Sequence, residues 1–208
     1  MKIKNIILDL GGVLLNIDYH LTIDAFKKIG IENFDELYTQ ANQTDIFDDF
    51  ETGAIGAAQF INGLAKYLPQ STDEKIITNA WNAMLLDFPK ERLNFLMQLK
   101  EKYNTALLSN TNTLHLDFFN KQLKEIHKLE SLRTHFKQTY YSCYMGMRKP
   151  NPEIFIEVCK LEGFKPAETL FIDDSMQHVE GAKEAGLHAY YLNVKTNDVI
   201  NLVNTLLT

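Results

Sequence analysis

Residues 3–13 read IKNIILDLGGV. Ile3 to Leu8 is a short apolar run, Asp9 ends it, and Gly11 and Gly12 follow at once. A run this short, closed by a turn signal, predicts a strand buried on both faces rather than a helix. The glycine pair lets the backbone turn sharply and present its amides to an anion. The pattern returns along the chain: Thr105 to Leu108 stops at Ser109, and Thr169 to Ile172 stops at Asp173. Gln138 to Tyr141 and Ala189 to Leu192 are the remaining predicted strands.

Helical spacing lies between these runs. Leu93, Leu96 and Met97 recur after Pro89, and Phe155, Val158 and Cys159 recur after Pro152, a good first-turn proline. Val199, Leu202, Val203 and Leu206 place an apolar stripe on a last helix. Strand–helix alternation of this kind implies an α/β sandwich, a Rossmann-like three-layer arrangement around a parallel sheet.

One interval breaks the alternation. Residues 17–87 hold no convincing strand, while Phe60, Ile61, Leu64, Ala65 and Leu68, and again Trp81, Met84 and Leu85, recur at helical spacing. Seventy residues are too many for a simple crossover, so the interval reads as a helical insertion. The expected division is a core of residues 1–16 and 88–208 with a helical cap at 17–87. Gly53, Gly56 and Gly63 would supply its turns or close contacts.

The chain of 208 residues carries 27 acidic and 21 basic side chains, a net charge of −6. With a pI near 5.5, a general binder of nucleic-acid backbone is disfavoured, because such binding needs clustered Lys and Arg. Cys143 and Cys159 form neither a disulfide framework nor a zinc set and read as reduced core thiols. No stretch reaches the roughly 18 apolar residues that span a bilayer. The opening run is too short for a signal peptide. A cytoplasmic protein with no nucleic-acid or membrane partner is expected.

In open α/β sheets ligands bind beyond the carboxyl ends of the strands, so Asp9, Ser109 and Asp173 would converge on one site. A lone aspartate there is usually a turn or a helix cap. Here Asp173 is followed by Asp174, and adjacent carboxylates repel unless a cation lies between them. With Asp9 they make a hard oxygen set suited to Mg²⁺. Ser109 and Asn110 begin a polar stretch that reads either as a plain helix start or as a phosphate-oxygen binder. Lys149, beside Arg148 and ahead of a helix, could neutralise both a phosphate and Asp9.

These four elements, Asp9-Leu10-Gly11-Gly12-Val13, Ser109-Asn110, Lys149-Pro150 and Asp173-Asp174, resemble in kind and order the motifs of the haloacid dehalogenase-like hydrolase superfamily. The resemblance covers nearly the whole chain. The segments LSNTN, GMRKP and FIDDS look most like its sugar-phosphate phosphatases, the branch that includes α-glucose-1-phosphate phosphatase. The resemblance implies a Mg²⁺-dependent phosphatase acting on a small phosphorylated metabolite, a sugar 1-phosphate above others. Asp9 would be the nucleophile, forming an aspartyl-phosphate that water hydrolyses. Asp9, the Gly11 carbonyl, Asp173 and Asp174 would hold the metal. Ser109, the Asn110 amide and Lys149 would bind phosphoryl oxygens.

The chain departs from the pattern at Gly11, where most phosphatases of the family carry a second aspartate as general acid and base. Losing such a group costs roughly 10²–10⁴-fold. A readily expelled anomeric oxygen would tolerate the loss. Asp18 suits a helix cap, although it lies within reach of the site, and His178 reads as a surface or supporting residue. Among Phe47, Phe50, Glu51, Trp81 and Met84, Glu51 is the expected substrate contact, because a carboxylate accepts sugar hydroxyls; the others suit an apolar core. Alternatives on the same fold are a dehalogenase, a phosphonatase using Lys27 or Lys28, or a non-catalytic protein that binds a phosphorylated metabolite.

Overall fold

The computed structural model describes residues 2–38 and 45–207. Its centre is a five-stranded parallel sheet in the order β3-β2-β1-β4-β5, with β1 at Asn5–Leu8, β2 at Asn104–Ser109, β3 at Gln138–Tyr141, β4 at Thr169–Asp173 and β5 at His188–Tyr191. All the predicted strands are present, β3 with the expected ends and the others within two residues of them. Ile6 and Leu8 face one side of the sheet and Ile7 the other, and both sides are buried. That is why these runs are apolar without alternation.

The face carrying Ile7, Ala106, Leu108 and Phe171 is covered by α9 (Pro152–Glu162) and α10 (Met176–Glu184) through Phe155, Val158, Val179 and Ala182. The opposite face packs on α6 (Lys90–Lys102), α7 (Thr113–Gln122) and α11 (Val199–Leu207). The short α8 (Ser142–Met145) follows β3. Two sequence expectations shift. Met97 lies on the exposed side of α6, where Phe95 and Leu99 take the buried positions. Cys143 is only half-buried, while Cys159 is in the core, and both are free thiols.

Between β1 and β2 lie α1 (Tyr19–Ile29), α2 (Phe34–Leu37), α3 (Asp45–Glu51), α4 (Ala57–Ala65) and α5 (Glu74–Asn82). Aromatic side chains fill the centre of this segment: Phe26 stacks on Phe34 at 4.0 Å, Phe50 on Phe60 at 4.3 Å, and Phe60 meets Trp81 at 4.8 Å. Each such pair adds about 0.5–1.5 kcal/mol beyond burial. Helix α5 ends at Asn82, so Met84 and Leu85 lie beyond it, not on the helix that their spacing predicts. The helix ends there because the chain turns to pair with its own entry: Ile17 and Leu85 form an antiparallel bridge, Asn16 N–H donates to Asp87 O at 2.9 Å, and Leu86 N–H donates back to Asn16 O at 3.0 Å.

A buried polar triangle ties the helical segment to the sheet. Asn112 caps α7 by accepting from His115 N–H at 3.1 Å, and the same oxygen accepts from Trp81 Nε1 at 3.3 Å. His115 stacks on Trp81, its Nδ1 faces the Asn112 amide nitrogen, and its Nε2 lies 3.3 Å from the Trp81 carbonyl. Burial pushes the imidazole down to about 4, so it is neutral and donates through Nε2.

Candidate active site

The three central strands end side by side. Asp9 follows β1, Ser109 ends β2 and Asp173 ends β4, so residues far apart in sequence meet at one edge. The turn after Asp9 is tight: Leu10 O accepts from both Leu14 N–H and Leu15 N–H. Gly12 sits at φ 73°, and a Cβ there would overlap the Asp174 carboxylate. Glycine is required both for the turn and for the approach of that acid.

Lys149 is fully buried, with Nζ 2.5 Å from Asp9 Oδ1 and 2.6 Å from Asp173 Oδ2. The ammonium also lies 5.5 Å from the centre of the Phe171 ring. Burial presses it towards deprotonation, but the two carboxylates outweigh burial and its pKa rises. The loop that carries it is clamped: Asn110 Nδ2 donates to Lys149 O, and Lys149 N–H donates to Asn110 Oδ1, both at 2.9 Å. The Asn110 side chain therefore holds the lysine in place. Ser109 is buried beside it, its hydroxyl 3.3 Å from the Asn110 carbonyl.

The three acids differ in setting. Asp173 accepts from Ser175 N–H at 2.8 Å and from His178 Nδ1 at 3.0 Å, besides Lys149. Burial opposes its charge, but Lys149 and His178 more than offset that and hold it down at about 2. Burial raises Asp9 to about 6, with Lys149 pulling the other way. Burial, together with the charges of Asp9 and Asp173, raises Asp174 to about 7. Oxygens of Asp9, Asp173 and Asp174 all lie within 4.8 Å of one another. Two raised carboxyls in such a cluster are what a hard divalent cation would relieve, and the donor set fits Mg²⁺.

In front of this cluster is a cavity of about 160 Å³. Asp9, Gly11, Asn110 and Asp174 form its floor side, and Tyr19, Tyr38 and Glu51 come from the helical segment. Glu51 and Ser109 also line an adjoining cavity of about 60 Å³. Arg148 joins the two sides, with Nη2 3.0 Å from Glu51 Oε2 and Nη1 paired with Asp48. Burial raises the Glu51 carboxyl against the pull of Arg148. Burial pushes the Tyr38 phenol far up, and desolvation at the cavity with the acids Asp174 and Asp9 nearby raises that of Tyr19, although the residue is 39% exposed.

The chain belongs to the haloacid dehalogenase-like hydrolase family. The family pattern matches residues 3–186. The chain is 30% identical over 193 residues to a D-ribitol-5-phosphate phosphatase of Bacteroides thetaiotaomicron, covering 90% of this chain and 91% of that protein. A crystal structure of a family enzyme from Bacteroides thetaiotaomicron, in complex with magnesium and inorganic phosphate, is 38% identical with a TM-score of 0.90, over 97% of this chain and 98% of that one. A predicted family hydrolase from Porphyromonas gingivalis is 32% identical with a TM-score of 0.89, over 100% of this chain and 98% of that one.

For this family member the structure brings Asp9, Gly11, Ser109, Asn110, Lys149, Asp173, Asp174 and Glu51 into one region. Phe47, Phe50 and Trp81 are buried in the aromatic centre, and Met84, also buried, borders the smaller cavity. Asp18 caps α1, accepting from His20 N–H at 2.9 Å. Lys27 and Lys28 are exposed, Lys27 pairs with Asp35 at 3.1 Å, and neither is among the described residues lining the cavity. Sequence reasoning missed Tyr19, Tyr38 and Gln177 as lining residues. No local motif marks Tyr19 and Tyr38, which the folding of the helical segment over the strand ends brings there, whereas Gln177 enters from the first turn of α10, close after Asp173 and Asp174. Among the described residues, no helix is long and apolar enough to cross a membrane.

Proposed function

We propose that this hydrolase is a Mg²⁺-dependent phosphatase of a small, hydroxylated phosphate monoester, and that it works through an aspartyl-phosphate on Asp9. The observation that carries the reading is Lys149 bridging Asp9 and Asp173 beside Asp174, at the floor of a polar cavity. Asp9, Asp173, Asp174 and the Gly11 carbonyl would hold the metal. The ion supplies charge neutralisation between carboxylate and phosphate when bound.

Asp9 attacks phosphorus, while Lys149, Ser109 and the Asn110 backbone amide bind the phosphoryl oxygens as charge shifts outward. The Asn110 side chain keeps Lys149 aimed at the centre. Residues 17–87 act as a cap whose Tyr19 and Tyr38 meet the rest of the substrate through hydroxyl hydrogen bonds, with Glu51 beside them on the leaving-group side. Arg148 is already paired with Glu51 and Asp48, so that end of the cavity favours an uncharged, hydroxyl-bearing group over a second anion.

Two substrates satisfy this description. Gly11 favours a sugar 1-phosphate, whose anomeric oxygen leaves readily. The name of the Bacteroides thetaiotaomicron relative favours a polyol 5-phosphate. Phosphate release from sugar 1-phosphates, sugar 6-phosphates, polyol phosphates and bisphosphates, with Mg²⁺ and with chelator, tests the reading. Mg²⁺-dependent turnover of monophosphates over bisphosphates is expected. No phosphate release from any of them would remove it.

A further inference from the structure

We propose that Glu51 gives the proton to the departing alcohol, the part that residue 11 cannot play in this chain. The proposal rests on the phosphatase reading above. Gly11 carries no group that moves a proton, and the apolar Ile17 side chain packs beside it: a Cβ there would meet Ile17 Cδ1 at 3.1 Å and Ile17 Cγ2 at 3.8 Å. Ile17 is apolar, so the residue packed beside Gly11 supplies no acid in its place.

The opposite wall offers one. Among the described residues lining the larger cavity, the carboxyl groups are Asp9, Asp174 and Glu51, and the first two belong to the acidic cluster. Glu51 ends α3 and faces both cavities. Its place is set by the turn that follows, where Gly53 has φ 73° and lies so close to the Cys143 carbonyl that a Cβ would collide with it. Oε2 is deeply buried and makes no aligned hydrogen bond, although Arg148 Nη2 is 3.0 Å away.

The charged and titratable groups facing Glu51 are Arg148, Asp48, Lys149, Tyr19, Tyr38 and Cys143. Burial and Asp48 favour the protonated carboxyl; Arg148 and Lys149 favour the carboxylate. The net effect is a raised carboxyl, the direction that suits a group handing on a proton. The other polar groups of the cavity do not offer this. His178 is committed to Asp173, and the two phenols are held too far up to act as a base.

In the first step an Asp9 oxygen bonds to phosphorus as the bond from phosphorus to the alcohol oxygen breaks. The Glu51 carboxyl proton passes to that oxygen, and a neutral alcohol leaves. Water then attacks the aspartyl-phosphate at phosphorus and gives one proton to the Glu51 carboxylate. Phosphate departs, and both side chains return to their starting forms.

Glu51→Gln in the full chain with Mg²⁺ tests this by single-turnover release of the leaving group. Ribitol 5-phosphate, a poor leaving group, is compared with 2,4-dinitrophenyl phosphate, which needs no proton. Release from the ribitol ester is expected to slow by about 10²–10³-fold, and from the dinitrophenyl ester by less than about threefold, followed by slow turnover. An equal loss on both esters, or no loss on either, overturns the proposal. The unaltered protein gives a second reading that needs no variant. Single-turnover release from the ribitol ester is expected to fall at alkaline pH along a limb that the dinitrophenyl ester lacks. A limb shared by both esters overturns the proposal. No phosphate from either ester in the unaltered protein removes the phosphatase reading itself, and the proposal with it.

Discussion

Lys149 Nζ and Asp9 Oδ1 lie 2.5 Å apart although 140 residues separate them in the chain. The lysine is wholly buried, so the contact replaces solvent for both groups. Its second partner, Asp173, makes the ammonium the shared counter-charge of two acids from two strands. A buried charge held this way costs most when one partner is removed alone.

Lys149→Met is therefore expected to destabilise the metal-free protein by about 3–5 kcal/mol at pH 8. The loss should be smaller at pH 5, because Asp9, already raised to about 6, then takes up a proton and sheds its charge. Urea unfolding at the two pH values measures the difference. Equal losses would mean that the lysine acts by packing alone.

Asp9→Asn is expected to leave the fold intact and to lower phosphate release by about 10³-fold or more, as when a nucleophile is removed. The substitution deletes one of three clustered acids and also one of the two partners of Lys149, which keeps Asp173, so the opposing effects should leave its melting temperature without Mg²⁺ little changed. Turnover that persists at the original rate would exclude Asp9 as the attacking group.

The acidic cluster also sets a pH dependence. Asp9 and Asp174 hold protons in the fold up to about 6 and about 7, whereas their ordinary value is 3.8. Their contribution is intact below the ordinary value and is lost as pH rises through 6 and 7, because the unfolded chain ionises first. Asp173, held at about 2, acts only below that window. Stability of the metal-free protein should thus decline between pH 4 and 7. Mg²⁺ should reverse the decline, adding about 2.7 kcal/mol at a hundredfold excess over its Kd. Thermal melts across pH with Mg²⁺ or chelator check this, and a flat metal-free profile would contradict it.

Asn112→Ala removes a helix cap and leaves Trp81 Nε1 without its partner. A loss of about 2–4 kcal/mol is expected, cap and buried donor together. Because α7 begins three residues after Asn110, substrate KM should rise as well. Denaturant unfolding and steady-state kinetics measure the two effects.

Much of the fold is legible in the residues themselves. Strand ends at Asp9, Ser109 and Asp173 can be read because a strand buried on both faces must be apolar until it leaves the sheet. The helical interval is legible by its length and spacing. The exit from α5 is not, since Met84 and Leu85 keep helical spacing while backbone pairing with residues 16–18 draws them out of the helix. Tertiary hydrogen bonds outweigh local periodicity there.

Local chemistry in the chain was enough to specify the sheet, the acids at its edge and the divalent-ion character of the site, because burial pattern and charge repulsion act over a few neighbouring residues. Only the packed molecule decided that Lys149 is shared between two acids, that Asn110 serves the lysine's backbone, and that Tyr19, Tyr38 and Arg148 stand around Glu51. Those relations depend on how the helical segment folds back over the strand ends, a long-range closure that residue spacing along the chain does not encode.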